Sequence, residues 1–121
     1  MKPAFLRSFT PGATKYHNRK VEIDGITFDS AKESRVYQEL KILAQSGEIK
    51  GFERQKVFEL VPSQYEGKKC VEKAVTYKAD FVVYHQDGSI AVIDAKGMRD
   101  AKYIIKRKLM RWIHKIQVCE V

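Results

Sequence analysis

The alternation of apolar and polar positions divides the chain into a small set of elements. Val21 to Phe28 alternates around Asp24-Gly25, a dipeptide suited to a tight turn with positive φ, and this predicts a β-hairpin. From Ser30 to about Ser46 the period becomes helical. Val36, Tyr37, Leu40, Leu43 and Ala44 form one stripe, Ser30 is a start signal and Gly47 a stop signal. Phe52 to Val61 returns to a strand pattern, with Phe52, Phe58 and Leu60 expected on one face. Pro62 to Lys69 reads as a polar loop. A second strand is expected from about Val71 to His85 and a third from Ser89 to Lys96, with Gly97 breaking it. Within the third, Ile90 to Ile93 is apolar on both faces, as in a strand covered from both sides. A second helix over roughly Asp100 to His114 is expected to bury Ile105, Leu109, Trp112 and Ile113, and Ile116 to Val121 closes the chain as a strand. This order predicts an α/β fold in which a mixed sheet is flanked by helices, with an α-β-β-β-α-β core. Pro3, Pro11 and Gly12 interrupt residues 1–19, which read as a basic N-terminal arm preceding a domain over residues 20–121.

The candidate chemistry lies on the second and third core strands. Asp94 and Lys96 are two residues apart on a strand, so they share a face, and Asp80 stands on the strand before. Asp94 follows a run of apolar residues deep in its strand, where an unpaired carboxylate is expensive. Two converging carboxylates suit a hard divalent cation such as Mg²⁺, which prefers oxygen ligands and keeps several waters. A lysine beside such an ion orients or deprotonates an attacking water, or offsets charge on a phosphate. Convergence depends on register. A two-residue turn at Asp87-Gly88 sets Asp80 opposite Ala95 and on the wrong face, whereas a three-residue loop, Gln86-Asp87-Gly88, pairs His85 with Ser89 and Asp80 with Asp94. That loop needs a left-handed residue at its last position, and Gly88 is there, so the three-residue loop is predicted.

Glu33 is the third candidate carboxylate. Ser30-Ala-Lys-Glu33 is also a capping box, in which Ser30 and Glu33 satisfy each other's backbone donors. Glu33 is nonetheless in register with the apolar stripe, three and four residues before Val36 and Tyr37, which turns it toward the sheet. Gln55, with Glu53 on the same strand face, borders this region or lies on an edge strand.

Net charge changes the picture through its distribution. The total is +8; residues 1–20 hold five Lys or Arg and no acid, and residues 98–115 hold seven against Asp100 alone. Segregated positive charge attracts polyanions, although a solvated helix face and a solubilising tail have the same composition. Candidate DNA contacts are Lys15, Tyr16, Arg19 and Lys20 in and beside the arm, and Arg99, Lys102 and Lys106 at the second helix. Lys102 and Lys106, one turn apart, could both reach a scissile phosphate. No Gly-rich phosphate loop is present, which speaks against an NTPase. Cys70 and Cys119 suggest neither a disulfide framework nor a zinc site. Without a secretory leader or a long apolar run, the expected location is a reducing cytoplasm with no membrane association.

The ordered set Glu33, Ala79-Asp80-Phe81 and Asp94-Ala-Lys96 resembles the core of the PD-(D/E)xK nucleases. Phe28-Asp-Ser30-Ala-Lys-Glu33, Glu53-Arg-Gln55, Ala79-Asp-Phe81, Asp94-Ala-Lys-Gly97 and Tyr103-Ile-Ile-Lys-Arg-Lys108 are more closely similar to a family of short, uncharacterised phage and prophage proteins, over about residues 15–121. The resemblance implies a restriction-endonuclease-like core and an Mg²⁺-dependent endonuclease acting on DNA, with Mn²⁺ as a substitute ion and branched or recombination DNA as the substrate class. In that pattern Glu33, Asp80 and Asp94 bind metal, Ala95 offers its carbonyl, and Lys96 is catalytic base or charge stabiliser. Gln55, Lys102 and Lys106 are accessory candidates. Ala79 replaces the proline that names the motif, and Asp94 replaces the commoner glutamate, which shortens that ligand by one methylene. The bacterial host cytoplasm is the compartment this implies, and double-strand cuts or junction resolution call for a homodimer, since two strands need two sites. The alternative is a non-catalytic DNA-binding module of the same fold; a third reading, a phage assembly protein using its basic faces, predicts no metal dependence.

Overall fold

The computed structural model describes residues 20–95 and 99–121. β1 (Val21–Ile23) and β2 (Ile26–Phe28) form the hairpin, with Asp24 and Gly25 both at positive φ as a primed turn requires. α1 (Ala31–Ser46) starts at Ser30, whose Oγ accepts the Glu33 N–H at 3.1 Å, and ends at a left-handed Gly47, whose N–H reaches back to Ala44. β3 (Ile49–Val61) follows, then β4 (Gln64–Glu66) and β5 (Lys69–Glu72), β6 (Val75–His85), β7 (Ile90–Asp94), α2 (Ala101–Leu109) and β8 (Val118–Glu120). A single π turn, Met110–His114, extends α2 and is closed by Lys115 in the left-handed region.

The main sheet has the order β3-β6-β7-β8; the first three strands are antiparallel and β8 runs parallel to β7, so the sheet is mixed. The fold is mixed α/β, with a multi-strand mixed sheet and two helices among the described residues. One core cluster joins Val36, Tyr37, Leu40 and Leu43 of α1 to Phe81, Val83, Ala91 and Ile93 of the sheet. The other joins Met110 to Leu60, Tyr77, Ala79, Val82, Val92 and Val118. Consecutive residues Val92 and Ile93 thus belong to opposite cores, which is why β7 is apolar on both sides.

The β6–β7 connection fixes the register on which the candidate chemistry depends. His85 N–H donates to Ser89 O at 2.9 Å, Gly88 has φ +90, and the pairing runs from Tyr84 with Ile90 to Phe81 with Ile93. This is the three-residue loop, and the same register continued by one residue sets Asp80 opposite Asp94.

Several details differ from the sequence reading. The stretch expected as a polar loop and the start of a long strand forms instead a separate two-stranded ribbon, β4 with β5, turning at Gly67 with φ +61. Phe52 packs on the α1 side, whereas Phe58 and Leu60 pack on the α2 side. The change of side falls across Gln55, which has φ +55 in mid-strand and turns the chain over there. Of the α2 residues expected in the core, Leu109 packs there half-buried, whereas Ile105, Trp112 and Ile113 are exposed and Met110 fills the core. Ile90 too is exposed, and no described helix is long and apolar enough to cross a membrane.

Candidate active site

Charged side chains are excluded from a protein interior unless something compensates them, because desolvating an ion costs several kcal/mol. Among the described residues, the buried charged side chains are Glu33, Asp80 and Asp94, at 4%, 1% and 3% exposure. These are the three carboxylates singled out by the sequence pattern.

The β6–β7 register, carried one residue beyond Phe81 and Ile93, sets Asp80 across from Asp94. Asp80 Oδ2 accepts the Ala95 N–H at 2.9 Å, and its Oδ1 lies 3.4 Å from Gln55 Nε2. Asp94 Oδ2 accepts the Tyr77 hydroxyl at 2.9 Å. Burial, and then the adjacent Asp94 carboxylate, push the Tyr77 phenol well above its ordinary range, so it stays a proton donor to Asp94. The Tyr103 ring centre stands 6.4 Å from that of Tyr77, and Tyr103 is likewise shifted upward, first by burial and then by its bond to Glu120.

Glu33 reaches the interior from α1 and meets Arg54 of β3, whose Nη2 lies 3.7 Å from Glu33 Oε1 and whose guanidinium carbon is 4.7 Å from the Phe28 ring centre. Among the described residues, no group of three or more His, Cys, Asp and Glu side chains is arranged to hold a metal ion. Asp80 and Asp94 thus stand on adjacent strands, and Glu33 comes from α1 beside Arg54. An oxygen-only pair of buried aspartates still fits Mg²⁺, which is commonly held by one or two carboxylates, waters and substrate phosphate rather than by an all-protein cage.

Gln55 is a built feature of this region. A non-glycine residue in the left-handed region costs roughly 1–2 kcal/mol, and such positions cluster at functional sites. Ordinary strand preference favours valine over glycine; the backbone here requires the reverse. Gln55→Gly is expected to be more stable than Gln55→Val by about 1–2 kcal/mol in urea unfolding. Equal midpoints for the two variants would show that the fold does not impose this conformation.

The basic candidates divide. Lys20 and Lys102 are exposed and Lys106 is half-buried. Arg99 is not a free cation: it pairs with Glu120, which also accepts from Tyr103 Oη at 2.7 Å and from Arg107 at 3.1 Å. Burial pushes the Glu120 carboxyl up, but the Tyr103 bond and the two arginines outweigh it and hold the group below its usual range. Lys15, Tyr16, Arg19 and Lys96 lie outside the described residues. Arg54, Tyr77 and Tyr103 were not singled out as site residues from the sequence, because each earns its place through a contact distant along the chain.

A family model described as a protein of unknown function (DUF1064) matches residues 13–118. The chain belongs to the DUF1064 family. No curated protein and no solved structure matches it. The DUF1064 match extends from residue 13 to the first residue of β8, so it takes in Glu33, Gln55, Asp80, Asp94 and the whole of α2.

Proposed function

We propose that this DUF1064 chain is a metal-dependent DNA endonuclease of the PD-(D/E)xK type, with a restriction-endonuclease-like core. The observation that carries the reading is that the buried charged residues among those described are Glu33, Asp80 and Asp94, two of them on facing strands in the register that convergence requires. Support also comes from the topology: three antiparallel strands, a parallel fourth after the crossover through α2, and the two helices over opposite cores.

In this reading Asp80, Asp94 and the Ala95 carbonyl would hold the ion, and Glu33 would be the third acidic group, supplied from α1. When bound, Mg²⁺ or Mn²⁺ supplies Lewis acidity to the scissile phosphate and lowers the pKa of a coordinated water. The protein's own part is orientation and proton handling. Ala95 N–H and Gln55 fix the Asp80 carboxylate, and Tyr77 Oη fixes Asp94 by donating to it. Lys96, two residues along from Asp94, takes a proton from the attacking water at Nζ or offsets charge on the phosphate. The basic run of α2 draws the polyanion toward the site. Branched or recombination DNA is the substrate class implied by the resemblance.

The test is cleavage of supercoiled plasmid and of a synthetic four-way junction, with Mg²⁺, with Mn²⁺ and with chelator. Cleavage is expected with either ion and not in chelator, and Lys96→Ala should slow it by roughly 10²–10⁴-fold. Cleavage indifferent to both chelator and the substitution would falsify the proposal. Salt-sensitive DNA binding with no cleavage under any condition is the result a non-catalytic binding module predicts.

A further inference from the structure

The outer side of α2 carries chemistry that the carboxylate pair does not use. Trp112, the chain's single tryptophan, is 75% exposed. Ile105, at 58% exposure, lies on the same side of the helix seven residues earlier, with Lys108 between them at helical spacing. From Lys102 to Lys115 every Lys, Arg, Asp or Glu position is basic: Lys102, Lys106, Arg107, Lys108, Arg111 and Lys115. Arg107 is engaged by Glu120, while Lys102, Lys108, Arg111 and Lys115 are exposed. The π turn displays the indole and holds it in place. Lys115, left-handed at the end of the turn, donates Nζ to the Trp112 carbonyl at 2.7 Å and stands 4.9 Å from the ring centre.

The charge selects the occupant. A second copy docked by a two-fold contact would set one basic face against another, which like-charge repulsion opposes. A polyanion meets both properties of the surface at once. An exposed indole among cations suits an unpaired base, which stacks on the ring while its phosphates meet ammonium and guanidinium groups. A base inside an intact duplex has no free face to offer.

We infer that Trp112, with Lys108, Arg111 and Lys115 around it, is a stacking platform for an unpaired nucleotide of single-stranded or branched DNA. The inference rests on the nuclease reading and narrows its substrate to DNA with an unpaired segment beside the cleavage point. α2 leads from Trp112 back to Tyr103, the neighbour of Tyr77 at Asp94, over about 13 Å of helical rise.

Because Trp112 is the only tryptophan, fluorescence excited at the long-wavelength edge of the indole band, where tyrosine does not absorb, reports on this position alone. The wild-type protein is titrated in chelator, which suppresses metal-dependent cleavage, with oligothymidylate, a blunt hairpin duplex, a duplex bearing a single-stranded flap, and phosphatidylserine vesicles. Anisotropy of labelled DNA measures binding in parallel. Oligothymidylate and the flap should quench the indole, and the blunt duplex should bind without quenching. Trp112→Ala should weaken oligothymidylate binding roughly tenfold, with Trp112→Phe retaining most of it, while blunt-duplex binding changes less than about twofold, as for a surface substitution. The proposal is overturned by oligothymidylate binding without quenching, by equal quenching from the blunt duplex, or by a response to vesicles alone. A blue shift with doubled mass in the protein alone overturns it in favour of a second copy. Absence of DNA binding both in chelator and with Mg²⁺ removes the nuclease reading as well, whereas cleavage without quenching removes only the stacking platform.

Discussion

Asp94→Asn is expected to reduce plasmid and junction cleavage by on the order of a thousandfold, since an ion's charge stabilisation is worth several kcal/mol and each 1.36 kcal/mol is tenfold in rate. The substitution is chosen because it leaves shape almost untouched. The asparagine carbonyl can still accept from Tyr77 Oη, whose bond to Asp94 Oδ2 is 2.9 Å in the parent, so the fold should persist. What disappears is one of two facing negative charges. Stability in urea without metal should therefore change by no more than about 1 kcal/mol, the ordinary worth of one hydrogen bond. Mg²⁺ should raise the melting temperature of the parent, as any ligand of the native state does, and should fail to raise that of the variant. Wild-type cleavage by Asp94→Asn would remove Asp94 from the chemistry and the pair with it.

The second large effect is on stability. Phe81→Ala should lower the unfolding free energy by about 3–5 kcal/mol, the range for emptying a buried aromatic site. Phe81 is fully buried, pairs with Ile93, and packs with its ring centre 6.3 Å from that of Phe52, which in turn meets Tyr37. These contacts tie α1, β3, β6 and β7 together, so little can move inward to fill the space. Against a total of about 5–15 kcal/mol for a natural domain, the loss is a large share. Urea unfolding checks it: the midpoint should fall sharply with the slope unchanged. A loss under about 1.5 kcal/mol would mean that the core closes over the gap.

The features legible in the sequence are those decided by local chemistry. Asp24-Gly25 marked the hairpin, Ser30 and Gly47 bounded α1, and Gly88 selected the loop that sets Asp80 opposite Asp94. Each depends on one residue's backbone freedom or one capping oxygen. The side of α2 that faces the sheet was not legible in this way. Its isoleucines and tryptophan read as a buried stripe, but Glu120 on β8 engages Tyr103 and Arg107 and turns that side inward, while the π turn carries Met110 into the core. The switch of sides along β3 follows from a left-handed glutamine, which no apolar period announces. Arg54 beside Glu33 joins α1 to β3 across many residues, a contact that no local pattern announces.

The turned-over backbone at Gln55 also bears on how these molecules coexist in solution. β3 lies at one edge of the four-stranded sheet, and an unbroken edge is a template on which another chain can add a strand. Here that template is interrupted at Gln55, and again further along where His114 Nε2 meets the Glu59 carbonyl at 2.7 Å. The flank is cut into short runs, with Lys50 and Lys56 on the strand, and growth of intermolecular sheet from this side is opposed by the same residue that reaches Asp80.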